Sequence, residues 1–312
     1  MAMSGRQYET VPGFFTQDSP DRLGLSTRDE PILPRLGLIN ARPDRWLTFI
    51  AAIHSLNATA TRGVQYKVFF IGRHGEGFHN VAEAKYGKKA WDECWSKLNG
   101  DGEMVWGPDP QLTPLGEQQA WDAHVAWETE RRFGIPVPEK LYTSPLTRAI
   151  RTSQITFDNT IICDLGMTIV ENIREQHGIH TCDKRRTRSE IHDAFPEYTF
   201  EDGFTEADLL WKPDYRETHA DVDRRVTRVL DDIFQNGHEQ FISITTHGGF
   251  VGGFLRVCHH RPWFLPTGGE YQDTLSEGLR NISHRQGLYR WLSRGPRWTY
   301  SGAIKGGDQA AE

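Results

Sequence analysis

Apolar positions along this chain recur with two different periods, and the switch between them predicts its elements. Residues 66–71, 139–143, 167–170 and 240–245 form short runs that predict strands, the first and last of them buried. Between them lie stretches with apolar residues three and four apart, which predict helices. Trp46, Phe49, Ile50, Ile53 and Leu56 make one such stripe, with Asp44 placed to cap it. A second helical pattern runs through Val81, Ala82 and Ala84. A third is predicted over residues 113–133, with Thr113 at the cap and Pro114 at the first helical position. Ser144-Pro145 turns the chain into a fourth, which carries Arg148 and Arg151. A fifth covers 218–236, with Val222, Val226, Val229, Leu230 and Ile233 on one stripe, and an apolar helix follows Gly248-Gly249. Strand, turn and helix repeat several times. That order predicts an α/β fold, a mostly parallel sheet covered by helices on both faces.

The remaining segments carry less pattern. Residues 1–45 are rich in Pro, Gly, Asp and Arg without sustained periodicity, which predicts an irregular arm laid over a domain or partly disordered. Residues 57–63 break the first helix. Residues 87–111, with Trp91, Trp95, Trp106 and several Gly and Pro, predict an insertion. The last ten or so residues predict a disordered tail, and the thirty before them give no reading beyond packing. No internal repeat or low-complexity tract is visible. The expected organisation is an arm and helix over 1–62 that pack on the core. A single domain over 63–312 follows, with the insertion and a C-terminal tail.

Composition narrows the function classes. A chain of 312 residues is ample to bury a core, and 37% apolar with 25% charged residues excludes wholesale disorder. No stretch approaches the ~18 unbroken apolar residues of a membrane helix. Residues 1–10 are polar and lack the apolar region of a secretory signal. A net charge of −6 argues against a general nucleic-acid or anionic-membrane binder. The four cysteines, Cys94, Cys163, Cys182 and Cys258, form no CxxC pair, so a zinc ribbon or thioredoxin-like site has no support. They are expected to be reduced thiols of a cytoplasmic protein. Thirteen histidines and ten tryptophans are many for this length, with surface histidines and core indoles as the default explanation.

Ligands of such sheets bind at the carboxyl ends of the strands, and four reactive segments fall there. They are Arg73-His74-Gly75, Ser144-Pro145-Leu146-Thr147-Arg148, Arg174-Glu175 and Thr246-His247-Gly248. Arg73 and Arg148 offer planar, permanently charged forks suited to phosphate oxygens. Gly75 and Gly77 let backbone approach a ligand, the following helix start favours an anion, and Asn80 is placed to add a donor. A histidine beside two arginines has a lowered pKa, so His74 is expected to be a neutral nucleophile toward phosphorus. His247, with Gly248 beside it, is placed to stabilise the transferring oxygens. Glu175 is placed to protonate the leaving alkoxide.

Arg73-His74-Gly75-Glu76 followed by Asn80 resembles the signature of the histidine phosphatase superfamily. Residues 144–149, Arg174-Glu175, residues 246–249 and residues 112–116 resemble its second arginine motif, proton-donor motif, second histidine motif and helix start, in the family's order. Within it the chain is similar to the phosphoglycerate-mutase-like branch. The segments 75–80 and 178–186, and the helix before the first strand, are similar to fungal-type phosphomutase-like phosphatases. The resemblance spans roughly 66–269. It implies a three-layer α/β/α sandwich, a phosphohistidine intermediate, no metal and no other cofactor. The substrate would be a small-molecule phosphate ester, and Gly75, Glu76, Asn80, Gly248 and, from the basic loop 184–188, Arg185 would contact it.

Several alternatives stay open at this point. The family reading covers a phosphatase, a mutase that returns the phosphoryl group to substrate, and a catalytically inactive phosphate-binding protein. His177, His180, Cys182 and Asp183 can be drawn as a metal cluster, but the spacing is loose. Cys182 and Arg188 have the spacing of a cysteine-phosphatase loop, but no glycine lies between them and Asp183 would repel the anion. His79 is expected at the solvent face of the first helical turn. The tryptophans of the insertion fit a core or lid, with an aromatic phosphate ester as the other reading. Substrate identity and oligomeric state have no signal in the sequence.

Overall fold

The computed structural model describes residues 6–18, 31–157 and 166–279. Seven strands form one sheet: β1 (Arg6–Thr10), β2 (Gln65–Arg73), β3 (Lys140–Thr143), β4 (Met167–Ile169), β5 (Thr199–Phe200), β6 (Phe241–Thr246) and β7 (Glu270–Leu279). Their order across the sheet is β1-β7-β2-β6-β3-β4-β5. The pairs β2/β6, β6/β3, β3/β4 and β4/β5 are parallel, and β7 runs antiparallel to both β2 and β1. The sheet is therefore mostly parallel, as the repeated strand-turn-helix order requires.

Eight α-helices accompany it among the described residues: α1 (Arg45–Ala58), α2 (Phe78–Tyr86), α3 (Lys88–Glu93), α4 (Pro114–Arg131), α5 (Thr147–Thr156), α6 (Arg188–Ala194), α7 (His219–Asn236) and α8 (Gly248–Val257). The two-residue period of a strand divides the core. Phe69 and Ile71 of β2, with Ile242 and Ile244 of β6, face Val222, Val226, Val229, Leu230 and Ile233 of α7 and Phe250 and Phe254 of α8. Val68 and Phe70 face the other way, onto Trp46, Phe49, Ile53 and Leu56 of α1 and Trp127 of α4. The result is a three-layer α/β/α sandwich, as expected.

Local sequence accounts for most helix starts. Thr113 accepts a hydrogen bond from Gly116 N, and Thr187 and Thr218 close capping boxes with Glu190 and Asp221. Asp44 stands where α1 begins, but its side chain makes no capping bond, so that expectation is corrected. Three strands, β1, β5 and β7, had no sequence reading. Residues 6–10 of the arm pair with β7 instead of lying irregularly over a domain, and β7 itself falls in the stretch read only as packing or tail. The insertion builds its own small core from Trp91 and Trp106, with Tyr86 stacked on Trp95 at 3.9 Å, against Ala82 and Cys182. The tail expected to be disordered, and Cys163, lie outside the described residues.

Candidate active site

The carboxyl ends of β2, β6 and β3 lie side by side, and the chain leaves each through a short turn into a helix. Backbone bonds lock these turns together: His74 N donates to Thr246 O at 2.9 Å and Ser144 N to Thr245 O at 3.1 Å. Gly75 N donates to Thr152 Oγ1 of α5, and Glu76 N to Gln119 Oε1 of α4. Gly75 and Gly116 allow a backbone-to-backbone approach. A Cβ on Gly75 would lie 2.1 Å from Gly116 O, and one on Gly116 would lie 2.1 Å from Glu76 O. These glycines hold the first turn against α4.

His74, His247, Arg73, Arg148 and Glu175 lie in one cluster linked by mutual electrostatic contacts. The imidazoles of His74 and His247 have centroids 4.9 Å apart. His74 Nδ1 is 2.7 Å from Gly75 O. A carbonyl only accepts, so Nδ1 carries the proton and Nε2 bears the lone pair. Burial, then Arg148, then Arg73 hold the His74 pKa well below its ordinary 6.5, so the ring is neutral. His247 Nε2 pairs with Ser144 Oγ at 2.7 Å, and burial followed by Arg148 lowers its pKa as well.

The two arginines are anchored from behind. Arg148 donates through Nη1 to Cys182 O at 2.8 Å and through Nη2 to Asp183 Oδ1 at 3.0 Å. Arg73 donates through Nη1 to Leu265 O at 2.8 Å, and its guanidinium lies over Gly248 at the start of α8. Glu175 Oε1 accepts from Gln176 N and from Gly249 N, each at 2.8 Å. Burial, and next the charge of Asp183, raise the Glu175 pKa above its ordinary 4.5, although Arg216 and Arg148 pull the other way. Asp183 itself stays low, because Arg216 and Arg148 outweigh the cost of its burial.

Four buried nitrogens of this group have no protein partner among the described residues: Arg73 Nε, Arg148 Nε, His79 Nδ1 and His247 Nδ1. Buried polar atoms without partners are rare in folded proteins. All four belong to residues whose charges act on His74 or on each other.

Two expected contacts and one expected exposure are corrected. Arg185 is fully enclosed, and its guanidinium is taken by Glu171, Thr205 and the carbonyls of Arg186, Glu206 and Ala207. It braces a loop and has no donor left for substrate. Glu76 turns its carboxylate to the Thr113 hydroxyl at 2.8 Å, tying the first turn to α4. His79 is buried, not solvent-facing, with its ring centroid 5.4 Å from His74. Asn80 spends Oδ1 on Gly77 N, while its Nδ2 has no partner among the described residues. Sequence reasoning also gave no role to Ser144, Asp109 and Arg216. Asp109 comes from the insertion and accepts from Thr147 N and Oγ1 at the head of α5, so the insertion helps set Arg148. Nothing in its sequence context marks that long-range bond.

The other chemistries find little here. Ligand atoms of His180, Cys182 and Asp183 lie within 4.8 Å of one another. The Asp183 carboxylate is already held by Arg148 and Arg216, and two guanidiniums beside a site repel a metal cation. Burial raises the Cys182 thiol well above 9, and Arg188 stacks on Phe200, so the pair does not form a thiolate phosphate loop.

A model of the histidine phosphatase superfamily, branch 1, matches residues 69–266, and the chain belongs to that family. It is similar to a probable phosphoglycerate mutase of Arthroderma benhamiae, 42% identical over 84% of this chain and 82% of that one. It is also similar to a probable phosphoglycerate mutase of Saccharomyces cerevisiae, 32% identical over 83% of this chain and 92% of that one. Among solved structures, mycobacterial hydrolase 1 shares 18% identity with a TM-score of 0.39, covering 68% of this chain and 92% of its own. No helix among the described residues is long and apolar enough to cross a membrane.

Proposed function

We propose that this chain is a metal-independent phosphomonoesterase of small phosphate esters, working through a phosphohistidine on His74. The observation that carries the reading is the neutral His74, with no partner on Nε2, beside Arg73, Arg148, His79 and His247, each of which has a buried nitrogen without a partner among the described residues. A phosphoryl group supplies the acceptors that the two arginine Nε donors lack, and the guanidiniums supply positive charge without a metal.

The chemistry balances on these residues alone. His74 Nε2 attacks phosphorus, an N–P bond forms and the ester P–O bond breaks. The leaving alkoxide takes the proton of the Glu175 carboxyl, whose raised pKa keeps it protonated to a higher pH than an ordinary carboxyl. Water then attacks phosphorus, Glu175 takes its proton, the N–P bond breaks, and neutral His74 and phosphate are restored. A second alcohol in place of water would return the phosphoryl group to substrate. The relatives named phosphoglycerate mutase favour keeping that branch as the second reading.

The test is phosphate release from p-nitrophenyl phosphate and a panel of metabolite phosphates, with EDTA present. Wild type and Cys182→Ser are expected to turn over, and His74→Ala to lose at least about a thousandfold. Robust activity in His74→Ala, or loss of wild-type activity to EDTA, would overturn the reading.

A further inference from the structure

We infer that Arg216 forms a second anion subsite beside the phosphate pocket, selecting phosphate esters whose alcohol portion carries another negative group. This rests on the phosphatase reading and adds the class of substrate to it.

Arg216 lies in the loop before α7, and that loop is strung along the Glu175 segment. Ile179 N donates to Lys212 O at 2.8 Å, and Glu217 N donates to His177 O at 3.1 Å. A Cβ on Gly178 would collide with Tyr215 O, so only glycine permits this approach. Glu217 anchors the same loop by accepting Arg225 Nε and Nη2, each at 2.7 Å. The backbone of Arg216 is thereby fixed across from residues 175–178.

The side chain is tied at one corner only. Nη1 donates to Asp183 Oδ2 at 2.6 Å and to Gly178 O at 3.0 Å. Nε and Nη2 have no hydrogen bond among the described residues, and the side chain is 26% exposed. The other oxygen of Asp183 holds Arg148. One carboxylate thus spaces two guanidiniums, a fully buried one by His74 and a partly exposed one within electrostatic reach of Glu175. Glu175 is placed to protonate the leaving oxygen, so Arg216 stands on the side of the leaving group.

Neighbouring cations are more fully engaged. Arg185 has no free donor, Arg174 is buried between Glu171 and Asp208, and Arg186 is bound through Nε to Asp109 and through Nη2 to Thr147, which leaves only its Nη1 open against Nε and Nη2 of Arg216. Lys184 lies 5.1 Å from the centroid of the Trp211 ring. A partly exposed guanidinium with two open donor nitrogens suits a carboxylate or a second phosphate.

The experiment uses matched pairs: ethyl phosphate against phosphoglycolate, and phenyl phosphate against 4-carboxyphenyl phosphate. In wild type the carboxylated member of at least one pair is the better substrate by kcat/KM. Arg216→Ala is expected to lower that preference at least tenfold, and Arg216→Lys to recover part of it. A structural role alone would lower both members equally, and that result, or no wild-type preference in either pair, would overturn the proposal. Turnover of none of the four by wild type would overturn the phosphatase reading itself, and the subsite with it.

Discussion

In the proposed mechanism Glu175 is an acid in one step and a base in the next, and its surroundings set the pH at which it can begin. Burial and Asp183 raise its pKa above 4.5, while burial and two arginines hold His74 well below 6.5. The first step needs neutral His74 and protonated Glu175. Activity is therefore gained as pH rises through the lowered His74 value and lost as pH rises through the raised Glu175 value. Glu175→Gln should remove the alkaline limb of kcat/KM seen in wild type. It should cost about 10²- to 10⁴-fold on alkyl phosphates, whose leaving group needs a proton, and far less on p-nitrophenyl phosphate. The substrate phosphate also titrates, so the comparison is between the two proteins on one substrate. An alkaline limb that persists in Glu175→Gln, or equal losses on both substrate types, would remove Glu175 from the role. At this scale the sequence was most informative where a motif abuts a strand. His74, Arg148 and His247 could be named because a nucleophile, a fork and a glycine-flanked histidine each follow an apolar run. His79 and Arg185 were misplaced for the opposite reason. Whether a polar residue turns inward is decided by partners such as Glu171 and Thr205, far away in the chain or on another loop.

The elements are held by a few buried polar contacts as well as by apolar stripes. Glu130 near the end of α4 accepts from Arg45 Nε at 2.7 Å, Arg45 Nη2 at 2.9 Å and Trp46 Nε1 at 2.7 Å. Arg45 also lies 3.4 Å from the centroid of the Phe133 ring. This node pins the first turn of α1 to α4, behind Phe70 of β2. Removing one partner leaves the others buried and unpaired, so Glu130→Ala should destabilise the fold by roughly 3–5 kcal/mol. Glu130→Gln should cost less, since its amide oxygen still accepts. Urea unfolding of the three proteins measures this, and a loss under about 1 kcal/mol for Glu130→Ala would contradict it. The stripe of Trp46, Phe49 and Ile53 was legible in the sequence because period 3.6 is local. The pairing of Arg45 with Glu130, 85 residues apart, was not. The same limit hid β1 and β7. Gln272, Asp273, Thr274 and Ser276 are polar, yet β7 lies between β2 and β1 with those residues buried. A strand that buries polar side chains has no hydrophobic alternation to find.

For the whole molecule, one sheet brings segments from four distant parts of the chain to a single edge. Parallel pairing of β2, β6 and β3 aligns their carboxyl ends, so His74, His247 and Ser144 meet without any local contact in the sequence. The insertion and the loops around Asp183 and Arg216 then complete the wall that holds Arg148. The sandwich was foreseeable from the repeating strand-turn-helix order, whereas the wall depended on loops with no period. The central claim is that the phosphoryl group passes through His74. It is tested most directly by quenching turnover of ³²P-labelled p-nitrophenyl phosphate, whose leaving group needs no proton, at alkaline pH, where phosphohistidine survives, and mapping the labelled peptide. In Glu175→Gln, where the second step lacks its base, the account predicts label on the peptide containing His74 and none in His74→Ala. Label on another residue, or turnover at full rate with no label on His74, would contradict it.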